Sequence, residues 1–256
     1  MVAPHPINLN ADIGEGFDDA PLIALVSSVS IACGGHTGDH ESMKRACRMA
    51  LERGVTIGAH PSFRDRENYG RRPLEVDPAA LRSQIAAQVQ RLADAAAETG
   101  SIVSHVKPHG ALYNMAAVRR DYADAIAETM AGLDPRMVLL APPGSMMEEA
   151  ARACDIPFVA EGFADRAYAP DGTLMPRSET GAVLSDPQAA AAQALLLAQK
   201  GQVVTAQGPI AVPCRSLCVH GDEPHAQSVA MAVREALLKA GLRIVSLPEL
   251  AQARSA

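Results

Sequence analysis

The chain has 256 residues, a formal net charge of −6, 48% hydrophobic residues, 3% aromatic residues and no tryptophan. This length suits a single α/β barrel, and residues 1–256 are expected to form one domain. The acidic balance argues against a broad nucleic-acid or anionic-membrane footprint. A core this poor in aromatics has to be built from Ala, Val, Leu, Ile and Met.

The first twenty residues carry Asp12, Glu15, Asp18 and Asp19 without a Lys or Arg, which does not fit a secretory signal. The longest apolar stretch, residues 189–198, is too short to span a bilayer. Five cysteines, an odd number, fit reduced thiols better than a disulfide framework. A cytoplasmic protein is expected.

The first predicted strand runs from Ile7 to Asp12. Its period of two puts Ile7, Leu9, Ala11 and Ile13 towards a helix layer and Asn8, Asn10 and Asp12 inwards. Gly14-Glu15-Gly16 then turns the chain, and Asp12 is a candidate general base or metal ligand. A second strand, from Val29, leads through small residues to His36 and His40. His40 reads as a solvated first-turn residue of a helix that runs to about Arg53 and stops at Gly54, while Cys33 reads as a small buried hydrophobe.

The third strand, Val55 to His60, is turned at once by Pro61. The irregular stretch after it, residues 61–76, holds Arg64, Arg66, Arg71 and Arg72, one of which could clamp an anionic substrate; Arg72 is the candidate. Asp77 and Pro78 open a helix with Leu81, Ile85, Val89 and Leu92 on one face, ending near Gly100. The fourth strand, from Val103 to His109, points His105 and Lys107 inwards. A lysine at a barrel mouth can bind a carboxylate or stabilise an oxyanion.

Phe158 to Asp165 forms another strand with Glu161 facing inwards. The long stretch after it, residues 164–183, is expected to act as a lid or binding loop. Asp186 and Pro187 open a helix that ends at Gly201, and residues 203–212 read as a hairpin around Gln207-Gly208-Pro209. The last motif strand, Leu217 to Asp222, sends Cys218 and His220 inwards. Asp222 also competes as the N-cap of a helix that starts near Glu223 and closes at Gly241, before the run Arg243 to Leu247.

Six apolar runs thus end on ionisable or metal-capable side chains, as expected where parallel barrels gather chemistry at the carboxyl ends of their strands. The predicted fold is a seven- or eight-stranded parallel (β/α) barrel, with an irregular or incompletely closed form left open. So many inward polar groups are costly unless they pair or meet a ligand. Neither a Gly-x-x-x-x-Gly-Lys-Ser/Thr phosphate loop nor a Gly-x-Ser-x-Gly elbow occurs, which disfavours a nucleotide site of the first kind and serine acyl-enzyme chemistry.

Six ordered motifs together resemble the LamB/YcsF family. They are residues 9–16, Ile31-Ala32-Cys33-Gly34, Ile57-Gly58-Ala59-His60-Pro61-Ser62, residues 105–114, Phe163-Ala164-Asp165-Arg166-Ala167-Tyr168 and Cys218-Val219-His220-Gly221-Asp222. The resemblance covers nearly the whole chain. It implies a glycoside hydrolase/deacetylase-like barrel and a part in the ATP-dependent opening of 5-oxo-L-proline to L-glutamate, alongside partner subunits B and C, with self-association left open. On that reading Asp12 and His60 act as base or water-orienting groups and Lys107 and His109 stabilise charge. Asp165, His220 and Asp222 position groups or transfer protons, while Asn10, Glu15, His36, Arg72, Tyr113, Glu161 and Arg166 contact the substrate.

Ser30, Gly35, Thr37 and His40 stand where the family usually shows Asn, Phe, Ala and Pro. The resulting His36-Thr37-x-x-His40 is similar to the metal motif of carbohydrate deacetylases. It keeps open a metal-dependent amide hydrolase in which Asp12, His36 and His40 hold a divalent ion, and a non-catalytic protein that binds a small acid is the third reading.

Overall fold

The computed structural model describes residues 6–221 and 225–252. In chain order its elements are β1 (Pro6–Ile13), α1 (Ala20–Ile23), β2 (Ser28–Ala32), α2 (His40–Glu52), β3 (Thr56–His60), α3 (Pro78–Ala97), β4 (Val103–Val106), α4 (Gly110–Val118), α5 (Arg120–Leu133), β5 (Val138–Ala141), α6 (Met146–Ala153), β6 (Phe158–Phe163), α7 (Pro187–Lys200), β7 (Gln202–Thr205), β8 (Gly208–Ala211), β9 (Ser216–Val219), α8 (Ala226–Lys239), β10 (Arg243–Ile244) and α9 (Leu247–Gln252).

Seven parallel strands run in the order β1-β2-β3-β4-β5-β6-β9, and β9 pairs back onto β1. The barrel is therefore closed with seven strands. β10 only extends it, pairing Pro6 with Arg243 and Ile7 with Ile244. The expected hairpin is the antiparallel β7–β8 pair, outside the barrel sheet.

The helix signals behave as their chemistry dictates. Asp39 caps α2 and closes a capping box with Ser42. Asp77 accepts from Ala79 and Ala80 at the start of α3, and Asp186 from Gln188 at the start of α7. α7 ends on left-handed Gly201. α8 begins at Ala226, and Asp222, the expected cap, lies outside the described residues. Among the described residues no helix is long and apolar enough to cross a membrane, and all five cysteines are free thiols.

The parity of β1 holds. Ile7, Leu9, Ala11 and Ile13 join the large core between strands and helices, while Asn8 and Asn10 are fully buried inside and hydrogen-bonded. Val138, Leu140 and Val159 form a separate apolar cluster with Val245, Leu247 and Leu250. α9 thereby plugs the amino-terminal end of the barrel, where Asn8, Ser28 and Ser216 pair among themselves, and the charged groups gather at the carboxyl-terminal end.

Candidate active site

A cavity of about 340 Å³ opens at the carboxyl ends of the strands, within the roughly 300–1,000 Å³ of small-molecule sites. Its buried ammonium is Lys107, just past the end of β4. The side chain is 2% exposed. Its Nζ lies 3.0 Å from Asp12 Oδ1, 3.0 Å from Glu161 Oε1, 3.0 Å from Cys218 Sγ and 3.4 Å from Asn10 Oδ1. A buried ammonium is tolerable only with such compensation.

Burial pulls the Lys107 ammonium down, but the Asp12 and Glu161 carboxylates, with a hydrogen bond to Cys218, hold it well above the usual lysine range. Burial likewise pushes Asp12 up, and His60 and Lys107 outweigh it, holding the carboxyl well below the carboxylate range. Asn10 donates to Glu161 Oε1 at 2.9 Å and Tyr113 donates to Glu161 Oε2 at 3.0 Å. Burial raises the Cys218 thiol well above its ordinary value despite Lys107, so it serves the ammonium as a neutral acceptor. The result is a fixed cation between two carboxylates on the cavity floor.

A second cluster stands beside it. His60 Nδ1 is 2.7 Å from the Lys107 carbonyl oxygen, and its Nε2 faces Asp12 Oδ2 at 3.4 Å, Glu15 Oε1 at 3.9 Å and His109 Nδ1 at 2.9 Å. His109 Nε2 donates to the Tyr69 carbonyl at 3.0 Å. Burial lowers His60, yet Asp12 and Glu15 raise it above its ordinary value. Burial, His60 and His36 together push His109 well down. The pair therefore carries its positive charge on His60.

His36 reaches Ser62 Oγ at 3.1 Å through Nδ1 and Glu15 Oε1 at 3.0 Å through Nε2, and burial lowers it to about 3. Gly70, left-handed at φ 66°, allows this packing, since a Cβ there would lie 2.9 Å from the His36 Cβ and 3.0 Å from His109 Cδ2. Gly35 has a similar role: a Cβ would fall 2.3 Å from Ser62 Oγ. Glycine here leaves room for the Ser62 hydroxyl that holds His36.

The remaining expected residues divide. Asp165 accepts from the His220 backbone N–H at 2.6 Å and lies 2.9 Å from its Nδ1, so it positions His220 on the cavity wall. Burial pushes the Asp165 carboxyl up, and His220 more than offsets that. Arg166 lines the cavity but donates to the Ala182 and Met175 carbonyls, tying down the 164–183 loop. That loop does cover the site, through Leu174, Met175, Pro176 and Arg177.

The Arg72 contact and the alternative metal set are not met, while His40 is solvated as expected. Arg72 lies off the cavity wall, which the neighbouring Arg71 lines instead. His40 pairs with Glu98 at 3.0 Å, half-exposed on the surface. The capping box that starts α2 fixes it there, so Asp12, His36 and His40 form no metal set. Asn114 and Arg177 also line the cavity, and the Tyr69 carbonyl holds His109 beside it. They come from loops and from α4, where no strand period marks direction.

Residues 7–252 match the model of the LamB/YcsF family. The A-subunit of 5-oxoprolinase from Nocardia farcinica is 50% identical, with 93% of this chain and 97% of that one covered. The crystal structure of a lactam utilization protein from Thermus thermophilus superposes with a TM-score of 0.88 at 38% identity, covering 94% of this chain and 100% of that one. A T48 deacetylase solved with its substrate shares the fold, with a TM-score of 0.53 at 14% identity over 98% and 92% of the two chains.

Proposed function

Because this chain belongs to the LamB/YcsF family, we propose that it is the A-subunit of an ATP-dependent 5-oxoprolinase, a cytoplasmic hydrolase that opens 5-oxo-L-proline to L-glutamate with partner subunits B and C. Relatives at 42–50% identity are named as the 5-oxoprolinase A-subunit, and the Thermus neighbour is named for lactam utilization. The single observation that carries the reading is the Lys107 ammonium held between Asp12 and Glu161 on the cavity floor.

A five-membered lactam carbonyl is a poor electrophile. In this reading the lactam oxygen takes the γ-phosphoryl group of ATP and ADP leaves. Water oriented by Asp12 then adds to the activated ring carbon. The ring C–N bond breaks, the nitrogen takes a proton, and a second water releases phosphate from the acyl group. Lys107 and the His60–His109 pair supply fixed positive charge where negative charge grows on oxygen.

Arg71 and Arg177 on the cavity wall suit the substrate carboxylate. Asp12 faces the cavity as a carboxylate, so it can accept a hydrogen bond from the attacking water and orient it. The partner subunits supply what this chain lacks in recognisable nucleotide motifs.

The test measures glutamate formed from 5-oxoproline and ATP by this chain alone, by subunits B and C alone, and by all three together. Turnover confined to the full mixture is expected. An assembled complex that releases no glutamate would overturn the reading.

A further inference from the structure

Two imidazoles of the site have one nitrogen committed by a partner that can only accept. His60 Nδ1 lies 2.7 Å from the Lys107 carbonyl oxygen and His109 Nε2 lies 3.0 Å from that of Tyr69. Both nitrogens must therefore carry hydrogen. The other two, His60 Nε2 and His109 Nδ1, are left with lone pairs, and they face each other at 2.9 Å. Two lone pairs at that distance need a cation between them, a proton or a metal ion.

Glu15 completes the set. Its Oε1 is 3.4 Å from His109 Nδ1 and 3.9 Å from His60 Nε2. Tetrahedral zinc, with bonds of about 2.0–2.1 Å, separates its ligand atoms by about 3.3 Å. A triangle with edges of 2.9, 3.4 and 3.9 Å matches one such ion. The rings of His60 and His109 stand 84° apart, so their in-plane lone pairs can converge.

Glu15, His36 and His109 also bring ligand atoms within 4.8 Å of one another. However, His36 and His109 are stacked at 3.7 Å with planes 4° apart, so their lone pairs run parallel and cannot meet on one ion. His36 instead holds Glu15 in place. The other candidate group, Asp12, Cys218 and His220, already has its cation in the Lys107 ammonium, 3.0 Å from both Asp12 Oδ1 and Cys218 Sγ.

We propose that His60 Nε2, His109 Nδ1 and Glu15 Oε1 form a binding site for one divalent transition-metal ion of the zinc class, which replaces the shared proton. Two imidazoles and one carboxylate suit such an ion better than magnesium or calcium. The backbone carbonyls that fix both rings are the outer partners metal-ligating histidines use. All three residues line the cavity, so three protein ligands leave the ion an open position there, as in catalytic rather than structural sites. The site stands apart from any assignment of substrate, since it is tested by binding alone.

The test uses the full chain, untagged and stripped with chelator, titrated with Co²⁺ and followed by calorimetry and visible absorption. One saturable equivalent per chain is expected, with ligand-field bands that Zn²⁺ displaces. Glu15→Gln and His109→Gln should each weaken binding on the order of 100-fold or more, whereas His40→Gln should leave it unchanged. Should His109→Gln fail to fold, Glu15→Gln, nearly identical in shape, decides. Absence of saturable binding to the stripped wild-type chain would overturn the proposal, and so would Co²⁺ binding that Glu15→Gln spares.

Discussion

Towards the amino ends of its strands the barrel is filled by Val138, Leu140 and Val159, packed against Leu247 and Leu250 of α9. Towards the carboxyl ends the same enclosure holds Lys107, Asp12, Glu161, His60 and His109. Both ends are buried, so burial alone does not separate them. The difference lies in compensation. Apolar burial and a neutral hydrogen-bond network around Asn8 and Ser28 hold the lower end, while opposite charges hold the upper one.

The largest way to break this contrast is at Lys107. Lys107→Met leaves Asp12 and Glu161 facing each other without a cation. Stability should fall by about 3–5 kcal/mol, the usual result of removing one partner from a buried ion pair. Turnover in the assembled complex should fall by about 10³-fold, comparable to losing an oxyanion donor. Chemical denaturation and a glutamate-release assay measure the two effects. A variant of normal activity would remove Lys107 from the chemistry.

Leu140→Ala probes the opposite end. Leu140 is fully buried in the apolar plug, so the cavity left behind should cost about 2–5 kcal/mol. Activity of the folded protein should stay within about twofold, because distant sites act independently. If kcat falls with stability, the plug and the mouth are mechanically coupled and the contrast between the ends collapses.

How far the sequence foretold this arrangement follows from period and distance. Asn10, Asp12, Lys107, Glu161 and Cys218 were legible because strand parity decides the inward face and a closed barrel makes that face common. Their pairing was not legible. Lys107 and Cys218 are 111 residues apart, and no local pattern sets how far each strand extends before its neighbour. The plug was hidden for a related reason: β5 ends on Ala141 with no ionisable marker, and α9 is only six residues long. The lack of a metal set at His40 was set by local capping chemistry, which outweighed the four-residue histidine spacing.

His105 sits between the two ends and gives a smaller test. It is fully buried, and burial followed by the Lys107 charge lowers its pKa to about 3. The unfolded chain therefore takes up this proton near pH 6.5, while the folded chain resists it until about pH 3. The sign follows: stability is intact above pH 6.5 and is lost as pH falls below it. By pH 5 the loss from this one group should reach about 2 kcal/mol. His105→Gln should flatten the decline in unfolding free energy between pH 7 and pH 5, and an unchanged slope would show that other groups carry it.

The smallest expected effect concerns two neighbouring arginines. Both arginines are exposed, but Arg71 lines the cavity and lies 5.3 Å from the centre of the Tyr69 ring, whereas Arg72 lies off the cavity wall. Parity cannot choose between them, because the loop after β3 has no regular period and turns through left-handed Tyr69 and Gly70. Arg71→Ala should raise the KM for the anionic substrate about tenfold, the loss of one charged contact worth about 1.4 kcal/mol. Arg72→Ala should change neither KM nor stability beyond about 0.5 kcal/mol. The opposite ranking would mean that the loop rearranges when substrate enters, so that the polar mouth is assembled by the ligand rather than preformed like the apolar plug beneath it.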